Sequence, residues 1–355
     1  MKAAVLFELN RPLKIIEIDR LPDLKEGQVL VDVIYSGLCH SQVMEVTGKR
    51  GPDKFLPHML GHEGVGIVKA VGDGITKVCV GDRVIMGWVR GQGANVPGGI
   101  YQYQNQVINS GQVTTFSEQS IVSENCLVTL PEDLPLDIAV LMGCALPTGA
   151  GLVMNELQPE PNKTYAIFGM GGIGLSALIT LRLYDTSRVI ALDLEDEKLA
   201  LASELGATDT INMSELDPVN AIHQLVPDGV DYALEASGVA HVIEQAFMSV
   251  RDRGGLCVFA SHPPEGDMIR IDPLTMHRGK QIRGSWGGSS IPDRDIPKLS
   301  DLYRKYQLPL EKLISKRYSL SQINVAIDDL KNRKINRGLI EVQPELDTRQ
   351  MAHNE

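Results

Sequence analysis

The chain has 355 residues, 43% of them hydrophobic and 22% charged, enough for two domains of ordinary size, each with its own core. Its formal net charge of -11 leaves no basic footprint for nucleic acid or an anionic membrane, so neither is expected as a partner. The longest apolar stretch, residues 138–154, carries Pro147, Thr148 and three glycines and reads as buried protein, not as a membrane span. The opening MKAAVLFEL shows no cleavage pattern, and the five cysteines are an odd number, which argues against a disulfide framework. A cytoplasmic chain is the expectation. Cys79, Cys126 and Cys257 lie in strand-like runs and read as small buried hydrophobes.

Residues 1 to about 130 read as short strands separated by turns: AAVLFE, QVLVDVIYSG, GVGIVKAVG, DRVIMGW and EQSIVSE, with Gly72-Asp73-Gly74 and Gly81-Asp82 between them. This predicts an all-β, partly barrel-like unit. From Thr164 the pattern alternates strand and helix. Strands are expected at 165–168, 189–192, 210–212, 231–235 and 256–260, and helices at 175–184 and 195–205, the second ended by Gly206. Such alternation predicts a parallel sheet with crossover helices. IPKLSDLYRKYQL and SQINVAIDDLKNRK read as two further helices and RGLIEVQ as a last strand. The fold class is therefore α/β: a β-rich domain over 1–147, a doubly wound parallel-sheet domain over 148–287, a return to the first domain over 288–346, and a tail from 347 to 355.

The turn Gly169-Met170-Gly171-Gly172-Ile173-Gly174 follows a strand and opens a helix, and Asp193 closes the next strand. A lone GxGxxG is a weak signal, but here strand, turn, helix and acid fall in order. Gly169 permits the tight turn, Gly171 lets backbone approach a pyrophosphate, and Gly174 lets helix and strand pack closely. The helix N-terminus offers N–H groups and positive dipole to phosphates. A carboxylate at Asp193 accepts from ribose hydroxyls and repels a 2′-phosphate, so NAD is expected over NADP.

Three further residues make a metal constellation. Cys39 and His40 stand in GLCHS, His62 in GHEGVG, and Cys144 in GCAL. A thiolate, an imidazole and a second thiolate suit zinc, and three protein ligands leave a fourth position open, the mark of a catalytic site. Each residue alone is ambiguous, since a histidine near glycines is more often a loop or core residue; the joint pattern carries the reading.

These segments, with GDRVI, GCALPTGAG and RKINRGLIEV, resemble the zinc-containing medium-chain dehydrogenase/reductases over nearly the whole chain, and liver-type alcohol dehydrogenases in particular. The resemblance implies a GroES-like catalytic domain and a Rossmann domain with the active site in the cleft between them. It assigns the catalytic zinc to Cys39, His62 and Cys144. It puts Glu63 behind the metal, Thr148 against the nicotinamide, His40 and Arg337 at the pyrophosphate, Lys198 near the adenosine ribose, and Trp88 and Phe116 in the walls of an alcohol pocket. The chemistry it implies is reversible oxidation of an alcohol to an aldehyde or ketone, with Ser41 as proton acceptor and hydride passing to NAD. A homodimer is the first expectation for assembly and a homotetramer the second.

Two departures stand out. Residues 91–115, where many liver-type enzymes carry four cysteines for a structural zinc, contain none, so one zinc per chain is expected. Met44 occupies the position of the usual relay histidine, and Gln42 that of an acid supporting the zinc-binding histidine. His262, in a loop after a strand of the second domain, is a speculative substitute; the alternative is a polar loop residue. The competing functions are a zinc-free quinone or enoyl reductase of the same superfamily, disfavoured by the Cys/His/Cys set, and a non-catalytic NAD-binding protein, disfavoured by Ser41 beside an open metal position.

Overall fold

The structure is a computed structural model that describes residues 1–18, 20–131 and 134–347. The expected tail beyond residue 347 lies outside the described residues. The chain divides into two compact units, residues 1–144 with 291–355 and residues 145–290.

In the first unit the long strand Gln28–Leu38 is the organising element. Its run QVLVDVIYSGL is apolar almost throughout and is buried on both faces, as a central strand requires. Among the described residues it belongs to a seven-stranded sheet. The order is Leu127–Thr129, Arg83–Met86, Gly64–Val71, Gln28–Leu38, Gly338–Glu341, Lys316–Ser319, and Gln119–Ser123 also pairs with Gln28–Leu38. Register shifts near Leu30 and Val33 bend this strand, which curls the sheet. A three-stranded sheet of Lys14–Glu17, Lys2–Leu6 and His58–Met59 adjoins it. The C-terminal strand Gly338–Glu341 pairs antiparallel with Gln28–Leu38, Gly338 opposite Leu38. The end of the chain thus completes the sheet begun at its start.

The second unit is a six-stranded parallel sheet in the order Asp209–Asn212, Thr186–Asp193, Lys163–Phe168, Tyr232–Glu235, Leu256–Phe259, Gln281–Gly284. In chain order that is 3-2-1-4-5-6, the doubly wound arrangement whose strand order reverses beside the first strand. The helix Gly172–Leu181 is buried from Gly174 to Leu181, as a helix apolar on every side must be. The helix Asp196–Glu204 ends as expected: Gly206 has φ +112°, and the Ala207 N–H reaches Ala202 O at 3.0 Å.

Several expectations shift. The helix after the glycine turn begins at Gly172, because the turn's own last glycines already take helical geometry. Cys79 is exposed and sits in a turn, held by its N–H donating to Asp82 Oδ2 at 2.8 Å, so it is not a buried strand residue. Cys126 and Cys257 are buried. Among the described residues no single helix is long and apolar enough to cross a membrane; residues 138–154 form short, mostly buried helical pieces.

Candidate functional site

Cys39 directly follows the long strand and is the N-cap of a short helix, His40–Val46. His62 lies in the four-residue connection, 60–63, between His58–Met59 and Gly64–Val71. Cys144 follows a 3-10 turn, Val140–Gly143. Two glycines bring them together. A Cβ on Gly37 would lie 2.6 Å from the Glu63 carboxyl carbon, and one on Gly143 would lie 2.8 Å from Glu63 Cβ. The small residues just before Cys39 and Cys144 therefore let both backbones pack against Glu63.

As a result one ligand atom each of Cys39, His62 and Cys144 lies within 4.8 Å of the others. His62 Nε2 is 3.2 Å from Cys144 Sγ. Cys39 is held well below the usual thiol range, chiefly by the hydrogen bond from Cys144, which outweighs burial; Cys144 is pushed well up by the same bond. Burial would pull His62 down, but the Cys39 sulfur outweighs it and holds the imidazole up. Two soft sulfurs and an imidazole converging on one point fit a zinc ion. Behind them Arg337 donates through Nη2 to Glu63 Oε1. Both residues are buried, and Glu63 Oε2 and Arg337 Nε have no hydrogen-bond partner. Burial pushes Glu63 up against the pull of Arg337, while Arg337, opposed by burial, is held protonated by Glu63 and the two cysteines. This buried pair keeps a compensated charge behind the sulfurs.

Around the triad, Ser41 Oγ is 3.4 Å from His62 Nδ1 and the Gln42 amide nitrogen 2.5 Å from it. Trp88 is half-buried and stands edge-on to His62, ring centres 6.5 Å apart. Phe116 departs from expectation. It is fully buried and packs with Leu6, Leu38 and Leu60 in the apolar core, with no surface left for a substrate. His40 is exposed and Met44 buried. The residues 91–115 are tied down by carboxylates. Glu124 accepts from the N–H groups of Thr76, Lys77 and Ala94 at 2.7–2.8 Å, and Asp293 accepts from Gln92 N–H at 2.6 Å.

In the second unit Gly169 has φ +93°, a conformation that glycine takes without strain. A Cβ on Gly174 would sit 1.9 Å from Gly169 O, whereas one on Gly171 meets nothing within 4 Å. Gly174 is there for packing and Gly171 for the open space in front of the turn. Gly172 and Ile173 begin the helix. Asp193 Oδ2 accepts from Met170 N–H at 2.7 Å, so the acid closing the second strand also fastens the glycine turn, and Lys198 Nζ is 3.8 Å from its other oxygen. Thr148 is buried in the helix Ala145–Gly151. His262 is exposed, with Nδ1 against Pro263 O.

One residue here escaped the sequence reading. Glu235, fully buried at the end of a central strand, accepts through Oε1 from Ser237 N–H, Ser237 Oγ and Gly238 N–H, while Oε2 has no partner. Burial pushes its carboxyl up to about 7 despite those bonds. Its one sequence signal is an acid ending an otherwise apolar strand.

Two family models match the chain: the alcohol dehydrogenase GroES-like domain over residues 25–132 and the zinc-binding dehydrogenase over residues 172–305. Alcohol dehydrogenase 2 of Zea mays is 31% identical, over 92% of this chain and 93% of its own length. The chain belongs to the zinc-dependent medium-chain alcohol dehydrogenases. Among solved structures, this alcohol dehydrogenase is similar to a zinc-binding-domain alcohol dehydrogenase protein of Burkholderia ambifaria (TM-score 0.86, 29% identity, 96% of this chain and 98% of that one). It is similar also to the benzyl alcohol dehydrogenase of Acinetobacter calcoaceticus (TM-score 0.86, 27% identity, 96% and 99%). The alcohol dehydrogenase is thus an enzyme that oxidises an alcohol with hydride transfer to NAD, and its cofactors are zinc and NAD. A zinc-free reductase is not favoured.

Proposed function

We propose that Cys39, His62 and Cys144 hold one catalytic zinc per chain, with Glu63 and Arg337 behind it, and that NAD lies across the Gly169–Gly174 turn. The observation that carries this is the convergence of two sulfurs and an imidazole within 4.8 Å, with Ser41 alongside. Zinc supplies a Lewis acid that lowers the pKa of an alcohol hydroxyl, and NAD supplies the hydride acceptor.

The chain's own residues do the rest. Ser41 accepts the hydroxyl proton of the alcohol, and Trp88 forms an apolar wall. Met44 cannot carry a proton onward, so the proton taken by Ser41 passes to solvent. Asp193, with Lys198 beside it, receives the adenosine ribose. Thr148 bears on the nicotinamide. The family resemblance gives His40 and Arg337 to the pyrophosphate; here Arg337 is buried and paired with Glu63. The substrate class is a small alcohol, aldehyde or ketone, and the name of the Acinetobacter neighbour makes aromatic primary alcohols a first choice to try.

We place the enzyme in the cytoplasm. We infer a homodimer before a homotetramer, supported by exposed apolar side chains, Met268, Leu274, Met276 and Trp286, flanking the edge strand Gln281–Gly284.

The test is NAD reduction over primary, secondary, aromatic and sugar alcohols, with zinc measured on the same sample. Turnover that a chelator abolishes and zinc restores, at one zinc per chain, is expected. Two tightly held zincs per chain, or turnover unaffected by Cys144→Ser, would sink the assignment.

A further inference from the structure

His62 Nε2 faces the sulfurs and its Nδ1 faces the amide of Gln42. The same amide has a second client, because its Oε1 accepts from the Cys39 backbone N–H at 3.1 Å and so caps the helix that carries Ser41. Gln42 is 2% exposed, so water cannot stand in for a missing partner there.

An amide presents one acceptor atom and one donor atom. As it is oriented, the oxygen serves Cys39 and the nitrogen points at His62 Nδ1, which suits an imidazole whose proton is on Nε2. An imidazole that gives Nε2 to a metal carries its proton on Nδ1 and needs an acceptor there. The amide nitrogen, not its oxygen, faces Nδ1, so Nδ1–H gains an acceptor only if the amide turns its oxygen away from Cys39 N–H toward His62. Ser41 Oγ, at 3.4 Å, is too distant for a full-strength bond.

We propose that Gln42 is a positioning residue that couples zinc binding to the capping of the helix His40–Val46: the metal-bound form draws the amide oxygen from Cys39 to His62. This rests on the zinc assignment above. It follows that the chain holds zinc less tightly than the same site with a carboxylate at position 42, whose two oxygens satisfy both donors at once. A metal site that can give up its ion to a competing chelator is the functional consequence.

The test compares the full-length protein with Gln42→Glu and Gln42→Ala. Zinc affinity is measured by competition with a chromophoric chelator, and exchange of the Cys39 amide by hydrogen-exchange NMR or mass spectrometry. Gln42→Glu is expected to bind zinc about 10-fold to 100-fold more tightly, and, zinc-loaded, to protect the Cys39 amide better than zinc-loaded wild type does. Gln42→Ala is expected to bind zinc more weakly than wild type. Equal affinity of Gln42→Glu and wild type overturns the proposal. So does tighter binding with equal Cys39 protection, which would be a charge effect alone. Should Gln42→Glu fail to fold, wild type decides: zinc loading must speed Cys39 exchange relative to the neighbouring helix amides. Cobalt loading separates this from the underlying assignment. A thiolate-to-cobalt charge-transfer band that weakens in Cys144→Ser and is lost when Cys39 is changed to Ser as well shows that the site binds metal even where the Gln42 result is negative; no band in wild type fails the site itself.

Discussion

Glu235 stands in the wrong place for a carboxylate. It is fully buried at the end of Tyr232–Glu235, one oxygen takes three donors from Ser237 and Gly238, and the other takes none. Burial pushes it from 4.5 to about 7, so the folded state binds this proton more tightly than the unfolded chain does. The sign follows: the contribution to stability is fully present below 4.5 and is lost as pH rises through about 7. At about 1.4 kcal/mol per pH unit, that interval is worth roughly 3 kcal/mol at most, an order-of-magnitude figure. Gln at this position imitates the protonated acid, its amide oxygen keeping the Ser237 and Gly238 donors. Urea unfolding of wild type and Glu235→Gln, from about pH 5 to about pH 8 at fixed zinc, should show the variant gaining on wild type as pH rises, then levelling off. Titrations common to both proteins cancel in the difference. A difference that stays flat with pH refutes the reasoning.

The glycine turn separates packing from binding. Gly174→Ala should lower Tm, because its Cβ would meet Gly169 O at 1.9 Å, whereas Gly171→Ala should melt like wild type and lose at least about tenfold in NADH affinity by fluorescence titration. Equal effects of the two on Tm would contradict this. Glu124 is the acid counterpart of Glu235. Burial raises it, but the N–H groups of Ala94, Thr76 and Lys77 outweigh burial and lower it. Its contribution is therefore present above the ordinary carboxylate range and lost as pH falls through the lowered value. Glu124→Gln should destabilise by about 1–3 kcal/mol and speed proteolysis within residues 91–100 at neutral pH; unchanged cleavage would show that the loop is held by other contacts.

Much of this enzyme is legible in the chain. The periods of two and of three to four, the turn Gly169–Gly174 and the acid at Asp193 define a parallel sheet and the glycine turn at which we propose NAD binds, because each is a local backbone or burial requirement. Cys39, His62 and Cys144 are readable as soft donors with no short-range pairing. Tertiary structure alone decides what those residues meet. Gly37 and Gly143 turn out to make room for one carboxylate, Glu63, and Arg337 arrives from the far end of the chain to neutralise it. Phe116, aromatic and near the pocket in sequence, goes to the core. Glu235 looks like an ordinary strand-ending acid until burial removes water from one of its oxygens. Sequence patterns report periodicity and residue chemistry over short spans. Charge compensation between Glu63 and Arg337, the amide of Gln42 facing His62, and the burial that orphans one oxygen of Glu235 depend on how distant parts of the chain pack, which only the folded chain sets.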